Sequence, residues 1–298
     1  MKILLLGKNG QLGWELQRSL APLGEVIALD RNSQDFCGDL IRLEDLAATI
    51  RQIKPAIIVN AAAYTAVDKA ESETELAQTI NADAVAVLAQ EAKLLDAWLV
   101  HFSTDYVFAG NGTRAWQETD KTGPLNIYGV TKLAGEKAIQ ESACKHLIFR
   151  TSWVYGARGN NFAKTMLRLA TERDSLTVIR DQVGAPTGAD LIADVTAHAV
   201  RTVQVAPELS GLYHLVAAGE TSWHGYACYV IKTAQKMGQK LKITVDAIAP
   251  VATSAFPTPA KRPENSRLNT GKVEANFALT LPHWQIGVTR MLTEFLEK

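Results

Sequence analysis

The first thirteen residues limit the possible folds more than any other part of the chain. Residues 3–6 form an apolar run that predicts a buried parallel strand, and glycine then stands at every third position, at Gly7, Gly10 and Gly13. A helical pattern begins at Trp14. A strand, a glycine turn and a helix together can hold phosphate, because glycine lets backbone amides approach a ligand and the helix start adds unpaired amides. The segment therefore predicts an α/β fold with a nucleotide at this turn, and a glycine turn without a ligand is the alternative.

Charge and cysteine content narrow the class of protein. The 298 residues contain 31 Lys and Arg against 31 Asp and Glu, so the net charge is zero. A nucleic-acid-binding protein usually has a basic excess, so we expect no nucleic-acid partner. No apolar run approaches the ~18 residues that cross a bilayer, so we expect no membrane partner. The three cysteines are far apart, which favours a reduced, cytoplasmic protein.

The remaining chain alternates strand and helix patterns up to Tyr155. This alternation predicts a doubly wound parallel sheet of the Rossmann type. The expected strands are residues 3–6, 26–29, a third short strand before Gly38, then 57–60, 98–102 and 147–150. One long helical stretch should run to about Leu95, and another should start near Tyr128.

The alternation weakens after Gly156, which predicts a smaller, irregular α/β substrate domain. We expect the dinucleotide-binding domain at 1–155 with a returning segment near 189–217, and the substrate domain at 156–188 and 218–298. The patterns predict a helix around 162–169, a strand at 178–179, a turn at 182–187 and a helix at 191–203. A strand at 213–216 should return to the main sheet, and the last helix should span 284–296.

An acidic residue ends the second predicted strand. Asp30 is placed to accept hydrogen bonds from the adenosine ribose hydroxyls, which favours NADH. Arg31 follows directly and could meet a 2′-phosphate, so NADPH remains open. The alternative for Asp30 is a solvated turn carboxylate.

Tyr128 and Lys132 are the candidate catalytic pair. They are four residues apart and so share one face of a helix. A nearby lysine cation should lower the pKa of the phenol, which is ordinarily ~10, and could also hold a ribose. Thr104, at the end of the fifth predicted strand, could share the proton on the reacting oxygen. The set suits hydride transfer to a carbonyl carbon with Tyr128 as proton donor; a surface Tyr–Lys pair is the alternative.

Six motifs together carry a resemblance to a known family. They are GKNGQLG at 7–13, NAAAYTAVD at 60–68, STDYVF at 103–108, PLNIYGVTK at 124–132, RTSWVY at 150–155 and RPENSRL at 262–268. Over nearly its whole length the chain resembles the dTDP-4-dehydrorhamnose reductase family of the extended short-chain dehydrogenases. The resemblance implies reduction of the C4 ketone of dTDP-4-dehydro-L-rhamnose to dTDP-L-rhamnose by NADH or NADPH. That reaction is the last step of dTDP-rhamnose synthesis for cell-surface polysaccharide.

The resemblance also implies roles for individual residues. Besides the catalytic residues Tyr128, Lys132 and Thr104, the substrate nucleotide sugar would meet Thr104, Asp105, Trp153 and Arg262. The guanidinium of Arg262 also matches a diphosphate chemically. The alternative for Trp153 is an ordinary core tryptophan, and the alternative for Arg262 is a surface loop arginine. The cofactor would meet Gly7, Gly10, Gln11, Leu12, Gly13, Asp30, Asp39, Leu40, Ala62, Ala63, Tyr64, Tyr128 and Lys132.

Magnesium at a contact between two subunits is a further implication of the resemblance. The matching carboxylates are Glu15, Asp190 and Glu294, and a homodimer would accompany them. Their spacing reveals no metal site, so scattered surface acids are the alternative.

Two other functions stay open at the level of sequence. An extended-branch nucleotide-sugar epimerase would use the same three catalytic residues but would keep its NAD bound and consume no added NADH. A non-catalytic regulatory relative, similar to the regulatory subunit of methionine adenosyltransferase, would not need Thr104, Tyr128 and Lys132, all of which are present.

Overall fold

A six-stranded parallel sheet lies at the centre of the protein; the computed structural model describes residues 1–297. The strands are β1 Lys2–Leu6, β2 Glu25–Leu29, β3 Ile57–Asn60, β4 Trp98–Thr104, β5 Lys145–Thr151, β6 Val154–Tyr155, β7 Leu176–Ile179, β8 Val183–Gly184, β9 Thr187–Gly188, β10 Gly211–His214, β11 Thr221–Ser222 and β12 Ile248–Val251. The central sheet has the order β10-β5-β4-β3-β1-β2, and each neighbouring pair is parallel. The predicted doubly wound parallel sheet is confirmed.

Most helices connect one strand to the next and bury an apolar face, and the last two follow the final strand. They are α1 Gln11–Leu20, α2 Leu43–Ile53, α3 Val67–Ala70, α4 Thr74–Gln78, α5 Ala84–Leu94, α6 Ile127–Ser142, α7 Phe162–Glu172, α8 Ala189–Val203, α9 Trp223–Lys236, α10 Gly271–Phe277 and α11 Trp284–Leu296. Four of them begin at a polar side chain that accepts from a backbone N–H of the first turn: Asn126 for α6, Asn161 for α7, Ser222 for α9 and His283 for α11. Such caps fix where a helix starts.

The strand order reverses between β1 and β3. The chain moves from β1 to the edge strand β2, and then returns to β3, β4 and β5 on the other side of β1. In open parallel sheets the carboxyl ends of the strands leave a crevice at this reversal, and ligands bind there. The glycine turn follows β1 and residues 61–64 follow β3, so both segments lie at the crevice.

Buried side chains pack on both faces of the sheet and in a separate cluster. One face contains Leu16 and Leu20 of α1 together with residues of α8, and the other contains Leu46 of α2 and Leu88 of α5. The separate cluster is built from α7, α9 and α11 around Tyr226. Val273 and Phe277 of α10 pack with the sheet, although the predicted boundaries assign them to the substrate domain.

Three expectations about local structure are wrong. No strand occurs between β2 and α2, where residues 30–42 form turns. The Ser33 hydroxyl donates to the Asp30 carboxylate and accepts from the Asp30 backbone N–H, and these bonds replace the pairing with a neighbouring strand. The long helical stretch is interrupted, because a wide helical turn at Thr79–Asp83 separates α4 from α5. The turn at 182–187 contains β8 and the start of β9.

The return of the chain to the main sheet is confirmed. The strand observed is β10, which pairs in parallel with β5 from Gly211 to His214. The last helix is confirmed at Trp284–Leu296. Within residues 1–297, no helix combines the length and the apolar character that a membrane crossing needs.

Candidate active site

The glycine turn is tightly packed against the strand next to it. Gly7 has φ +88°, a backbone region that side chains disfavour, and a Cβ there would lie 2.8 Å from the backbone of Ala61. A Cβ on Gly13 would lie 2.0 Å from the carbonyl oxygen of Gly7. Helix α1 starts at Gln11 with Gly10 as its cap and no capping side chain. The first amides of α1 are therefore available to an anion at the crevice.

Asp30 lies directly across this turn. Its carboxylate accepts hydrogen bonds from Asn9 and from the Asn32 N–H, and Lys8 is 4.0 Å away. Burial would raise the pKa of Asp30, but the hydrogen bonds from Ser33 and Asn32 and the charge of Lys8 hold it below its usual value. Asp30 is thus a fixed negative charge at the end of β2, suitable for accepting from hydroxyl groups.

The other predicted cofactor residues lie on two neighbouring segments. Asp39 is half-buried and accepts from the Ile41 N–H, while Leu40 is buried beside it. Ala62 and Ala63 are partly exposed at the end of β3. The Tyr64 hydroxyl donates to Glu73 at 2.6 Å.

Asn81 is a buried residue of this region that the sequence patterns do not single out. It lies in the wide turn Thr79–Asp83, where its amide accepts from the Tyr64 N–H and donates to the Tyr64 carbonyl and to Thr131. It therefore ties the loop after β3 to α6. A wide turn inside a helix often marks a functional position, but the sequence gives no signal for it.

Helix α6 presents Tyr128 and Lys132 beneath the carboxyl end of β4. Thr104, the last residue of β4, forms a hydrogen bond with Tyr128. The structure thus brings the three predicted catalytic residues together. Burial and the charge of Asp105 raise the pKa of Tyr128, and only the Thr104 hydrogen bond opposes them. In the chain without ligand, burial outweighs the expected lowering of the phenol pKa by Lys132, and Tyr128 is a protonated phenol at neutral pH.

Lys132 is buried, with 2% of its surface exposed. Its Nζ donates to the carbonyl of Phe102 at 2.7 Å and lies 3.0 Å from Nε2 of His101. Burial lowers the pKa of Lys132 to about 8, although the charge of Glu136 opposes the change. Its ammonium therefore gives up a proton far more readily than that of a surface lysine.

Asp105 is buried beside Thr104 at the end of β4. Thr104 donates to Asp105 Oδ1 at 3.1 Å, whereas Oδ2 has no hydrogen-bond partner among the described residues. Burial raises the pKa of Asp105 to about 7, despite hydrogen bonds from Ser266 and Thr104. The carboxyl is therefore close to half protonated at neutral pH and presents one free oxygen.

Arg262 lies in a cleft next to the predicted catalytic residues. Its guanidinium donates to Asp68 at 2.6 Å and to the Tyr106 hydroxyl at 3.3 Å, and the Tyr106 ring packs edge-on against Tyr128. Arg262 is therefore an anchored, partly buried cation rather than a free surface arginine. The cleft is lined by Tyr106, Phe162, Met166, Thr177, Val178, Ile179, Gln182, Trp223, Phe256 and Arg262.

Trp153 stacks on Trp223, with ring centroids 3.7 Å apart. Its φ is +50°, an unfavourable value for a tryptophan, so the surrounding contacts hold it in place. A Cβ on Gly184 would lie 3.0 Å from the ring of Trp153. Nothing in the linear pattern links Trp223, Gln182 or Phe256 to Trp153 or Arg262, so the sequence alone does not mark them as functional.

The three predicted magnesium ligands do not come together within the chain. Glu15 pairs with Arg18 on α1, Asp190 lies 3.6 Å from Arg290, and Glu294 is exposed on α11. Among residues 1–297, no three acidic, histidine or cysteine side chains form a group that could hold a metal. A site shared between two subunits stays a prediction.

The sheet reversal, the glycine turn and the Thr104, Tyr128 and Lys132 cluster are the features of an extended short-chain dehydrogenase. Comparison with known families agrees. The model of the family described as "RmlD substrate binding domain" matches residues 1–297, and the chain belongs to this family, that of the dTDP-4-dehydrorhamnose reductases.

Relatives of known name are similar over the whole chain. The chain is 62% identical to the dTDP-4-dehydrorhamnose reductase of Escherichia coli K12 over 99% of this chain and 98% of that protein. A crystal structure of a dTDP-4-dehydrorhamnose reductase from Clostridium acetobutylicum superposes with a TM-score of 0.88 at 34% identity, covering 100% of both chains. The enzyme from Bacillus anthracis in complex with NADP gives 0.86 at 35% identity, covering 100% of this chain and 99% of that one.

Proposed function

We propose that the chain reduces the C4 ketone of dTDP-4-dehydro-L-rhamnose to dTDP-L-rhamnose, with NADH or NADPH as hydride donor. The observation that carries the proposal is the 62% identity to the Escherichia coli enzyme over nearly the full length of both proteins. The cluster of Thr104, Tyr128 and Lys132 supports it chemically, because a protonated phenol beside the crevice can act as a general acid.

The crevice fits a dinucleotide. The uncapped start of α1 suits the pyrophosphate, and the charged Asp30 suits the ribose hydroxyls of the adenosine. A bound reduced nicotinamide supplies the hydride for the ketone carbon. The Bacillus anthracis relative binds NADP, and the exposed Arg31 next to Asp30 supports acceptance of a 2′-phosphate here as well.

The chain's own residues supply the proton and the orientation. Tyr128 donates its phenolic proton to the substrate oxygen as the ketone becomes an alcohol. Thr104, bonded to Tyr128, is placed to contact the same oxygen and to hold the phenol in line. The buried cation of Lys132 on the same helix face stabilises the phenolate that remains, until solvent returns a proton.

The cleft at Arg262 is the proposed site of the nucleotide part of the substrate. Its aromatic side chains, among them Trp223 and Phe256, can stack on a base or sugar, and Arg262 can bind the diphosphate. Asp68 holds the guanidinium in position, and Asp105, next to Thr104, has one unpartnered carboxylate oxygen that can accept from a sugar hydroxyl. Tyr106 lines the cleft and its ring packs against Tyr128, so the proposed substrate site adjoins the proposed acid.

The test is the absorbance of reduced nicotinamide after dTDP-4-dehydro-L-rhamnose is added to enzyme and excess NADH or NADPH. Stoichiometric loss of the coenzyme, with dTDP-L-rhamnose as product, is the expected result. If the coenzyme binds but is not consumed, the reductase proposal fails. Appearance of an epimerised nucleotide sugar would then identify the epimerase, and binding without turnover would identify the regulatory relative.

We also propose that the protein is a cytoplasmic homodimer with one dinucleotide-binding and one substrate domain, divided as the sequence predicts. Cys37, Cys144 and Cys228 are free thiols, which agrees with a reducing compartment. The molar mass in solution, measured with and without a chelator, tests the dimer and the magnesium site together. A monomer under both conditions would contradict both.

A further inference from the structure

The hydroxyl of Tyr106 lies beside the cation of the cleft. Tyr106 is in the short turn that follows β4, it lines the cleft, and its oxygen is 3.3 Å from Nη1 of Arg262. Arginine has only hydrogen-bond donors, so the guanidinium donates and the Tyr106 oxygen accepts. The direction of this hydrogen bond is therefore fixed by the chemistry of the two side chains.

The proton of this hydroxyl has no acceptor in the protein. Among residues 1–297, the guanidinium of Arg262 is the one hydrogen-bond partner of the Tyr106 side chain. Burial and the charge of Asp105 raise the pKa of Tyr106 against the opposing effect of Arg262, so the phenol keeps its proton at neutral pH. A hydroxyl that accepts from a cation is a stronger donor, because hydrogen bonds in a chain polarise one another. The cleft thus contains a strong donor that the protein itself does not use.

Three contacts hold Tyr106 in place. Its ring packs edge-on against Tyr128 with centroids 5.6 Å apart, and its backbone N–H donates to Thr104 Oγ1 at 3.2 Å. A Cβ on Gly129 would lie 2.3 Å from the Tyr106 carbonyl oxygen, so the first turn of α6 packs directly on this residue. A donor fixed in this way loses little freedom when it binds a ligand, which favours affinity.

Arg262 also keeps donors for a ligand. Its guanidinium has more N–H groups than its contacts with Asp68 and Tyr106 use. The Asp68 carboxylate accepts from this guanidinium and from the Ala260 N–H at 3.3 Å, so its charge is compensated within the protein. The free N–H groups of Arg262 and the O–H of Tyr106 form one cluster of donors with a positive charge. Such a cluster matches the acceptor-only oxygens of a diphosphate.

We propose that Tyr106 is a further substrate-binding residue, whose hydroxyl donates to the diphosphate of the nucleotide sugar beside Arg262. The proposal rests on the proposed function, because that function places the nucleotide in this cleft, and it assigns one more contact there. Since the ring of Tyr106 packs against Tyr128, the same residue relates the position of the diphosphate to that of the acid. The competing explanation is that Tyr106 only supports Arg262.

The direct test is calorimetric binding of dTDP and of thymidine, which lacks the diphosphate, to the wild type and to Tyr106→Phe. We expect Tyr106→Phe to raise the Kd for dTDP about tenfold, because a hydrogen bond to a charged group is lost, and to leave the Kd for thymidine unchanged. Tyr229→Phe is the matched control, since its hydroxyl bonds Thr289 between α9 and α11, and it should change neither Kd. An unchanged Kd for dTDP, or an equal loss for both ligands, would overturn the proposal.

A double-mutant cycle separates direct donation from support of Arg262. Tyr106→Phe is combined with Arg262→Gln, and the Kd for dTDP is measured for the wild type, both single variants and the double variant. Direct donation predicts that Tyr106→Phe still weakens binding by about threefold or more in the Arg262→Gln background. No further loss in the double variant would show that Tyr106 acts only through Arg262, and the proposal would then be wrong.

Steady-state kinetics separate this proposal from the proposed function. Tyr106→Phe keeps the ring beside Tyr128, so KM for the nucleotide sugar should rise about tenfold while kcat stays within about twofold. If the wild type neither binds dTDP nor consumes coenzyme, the assignment of the cleft fails, and this proposal fails with it. If the wild type does both and Tyr106→Phe has the same KM, only the role of Tyr106 fails.

Discussion

Replacing Asp105 with asparagine should change how protein stability depends on pH. Burial raises the pKa of Asp105 from 3.8 to about 7, a shift of about three units, and each unit corresponds to ~1.4 kcal/mol. The folded carboxyl keeps its proton to a higher pH than the unfolded one. The folded state therefore binds more protons between about pH 4 and pH 7, and this group lowers the free energy of unfolding as the pH rises through that window.

Asparagine has nearly the same shape and does not titrate, so the variant should lose this dependence. Relative to the wild type, the free energy of unfolding of Asp105→Asn should increase by up to about 4 kcal/mol between pH 4 and pH 8. Subtracting wild-type from variant values at each pH cancels the groups that the two proteins share.

Urea unfolding followed by fluorescence of the six tryptophans measures the difference. Asp120→Asn is the control of opposite sign, because hydrogen bonds from Arg114 and the Gln117 N–H hold the Asp120 pKa below its usual value. The free energy of unfolding of the wild type, relative to that of Asp120→Asn, should therefore decrease as the pH falls. A difference between Asp105→Asn and wild type that is constant from pH 4 to pH 8 would refute the claim that burial keeps Asp105 protonated.

Three further predictions concern the site. Tyr128→Phe should lower kcat ~10²–10⁴-fold while the cofactor Kd stays within about twofold, since only the acid is removed; full activity in a stopped-flow assay would contradict its role. Arg262→Gln should raise KM for the nucleotide sugar by about 10–100-fold, because a charged hydrogen-bond donor in the cleft is lost. The Kd for NADPH, measured by fluorescence, should not change. A change in that Kd alone would place Arg262 in the cofactor site. Gly135→Ala should destabilise the protein by ~1–3 kcal/mol in urea unfolding and weaken cofactor binding, because the new Cβ would lie 2.3 Å from the carbonyl oxygen of Asn81, which organises Tyr64. Gly123→Ala is the control, because its Cβ would meet Ala109 at an ordinary 3.6 Å. Equal stability of the two variants would show that α6 can shift to accommodate the new methyl group.

Much of the fold follows from patterns that are local in the chain. Runs such as residues 57–60 are apolar throughout because a parallel strand is buried on both faces, and they alternate with amphipathic helices. The predicted strand before Gly38 failed because Asp30 and Ser33 satisfy each other through a turn, and local hydrogen bonds of this kind leave no trace in apolar spacing.

The sequence by itself determined the crevice and the positions of the candidate catalytic residues, since the glycine turn, Thr104, Tyr128 and Lys132 each belong to a local motif whose spacing fixes its place on a strand end or helix face. Only the tertiary structure decided their protonation. The high pKa of Tyr128, the lowered pKa of Lys132 and the proton on Asp105 arise from burial and from partners such as His101 and Ser266 that are distant in the chain. The cleft around Arg262 likewise joins side chains from separate helices and loops. Desolvation depends on which segments exclude water from a group, and only the folded packing specifies that.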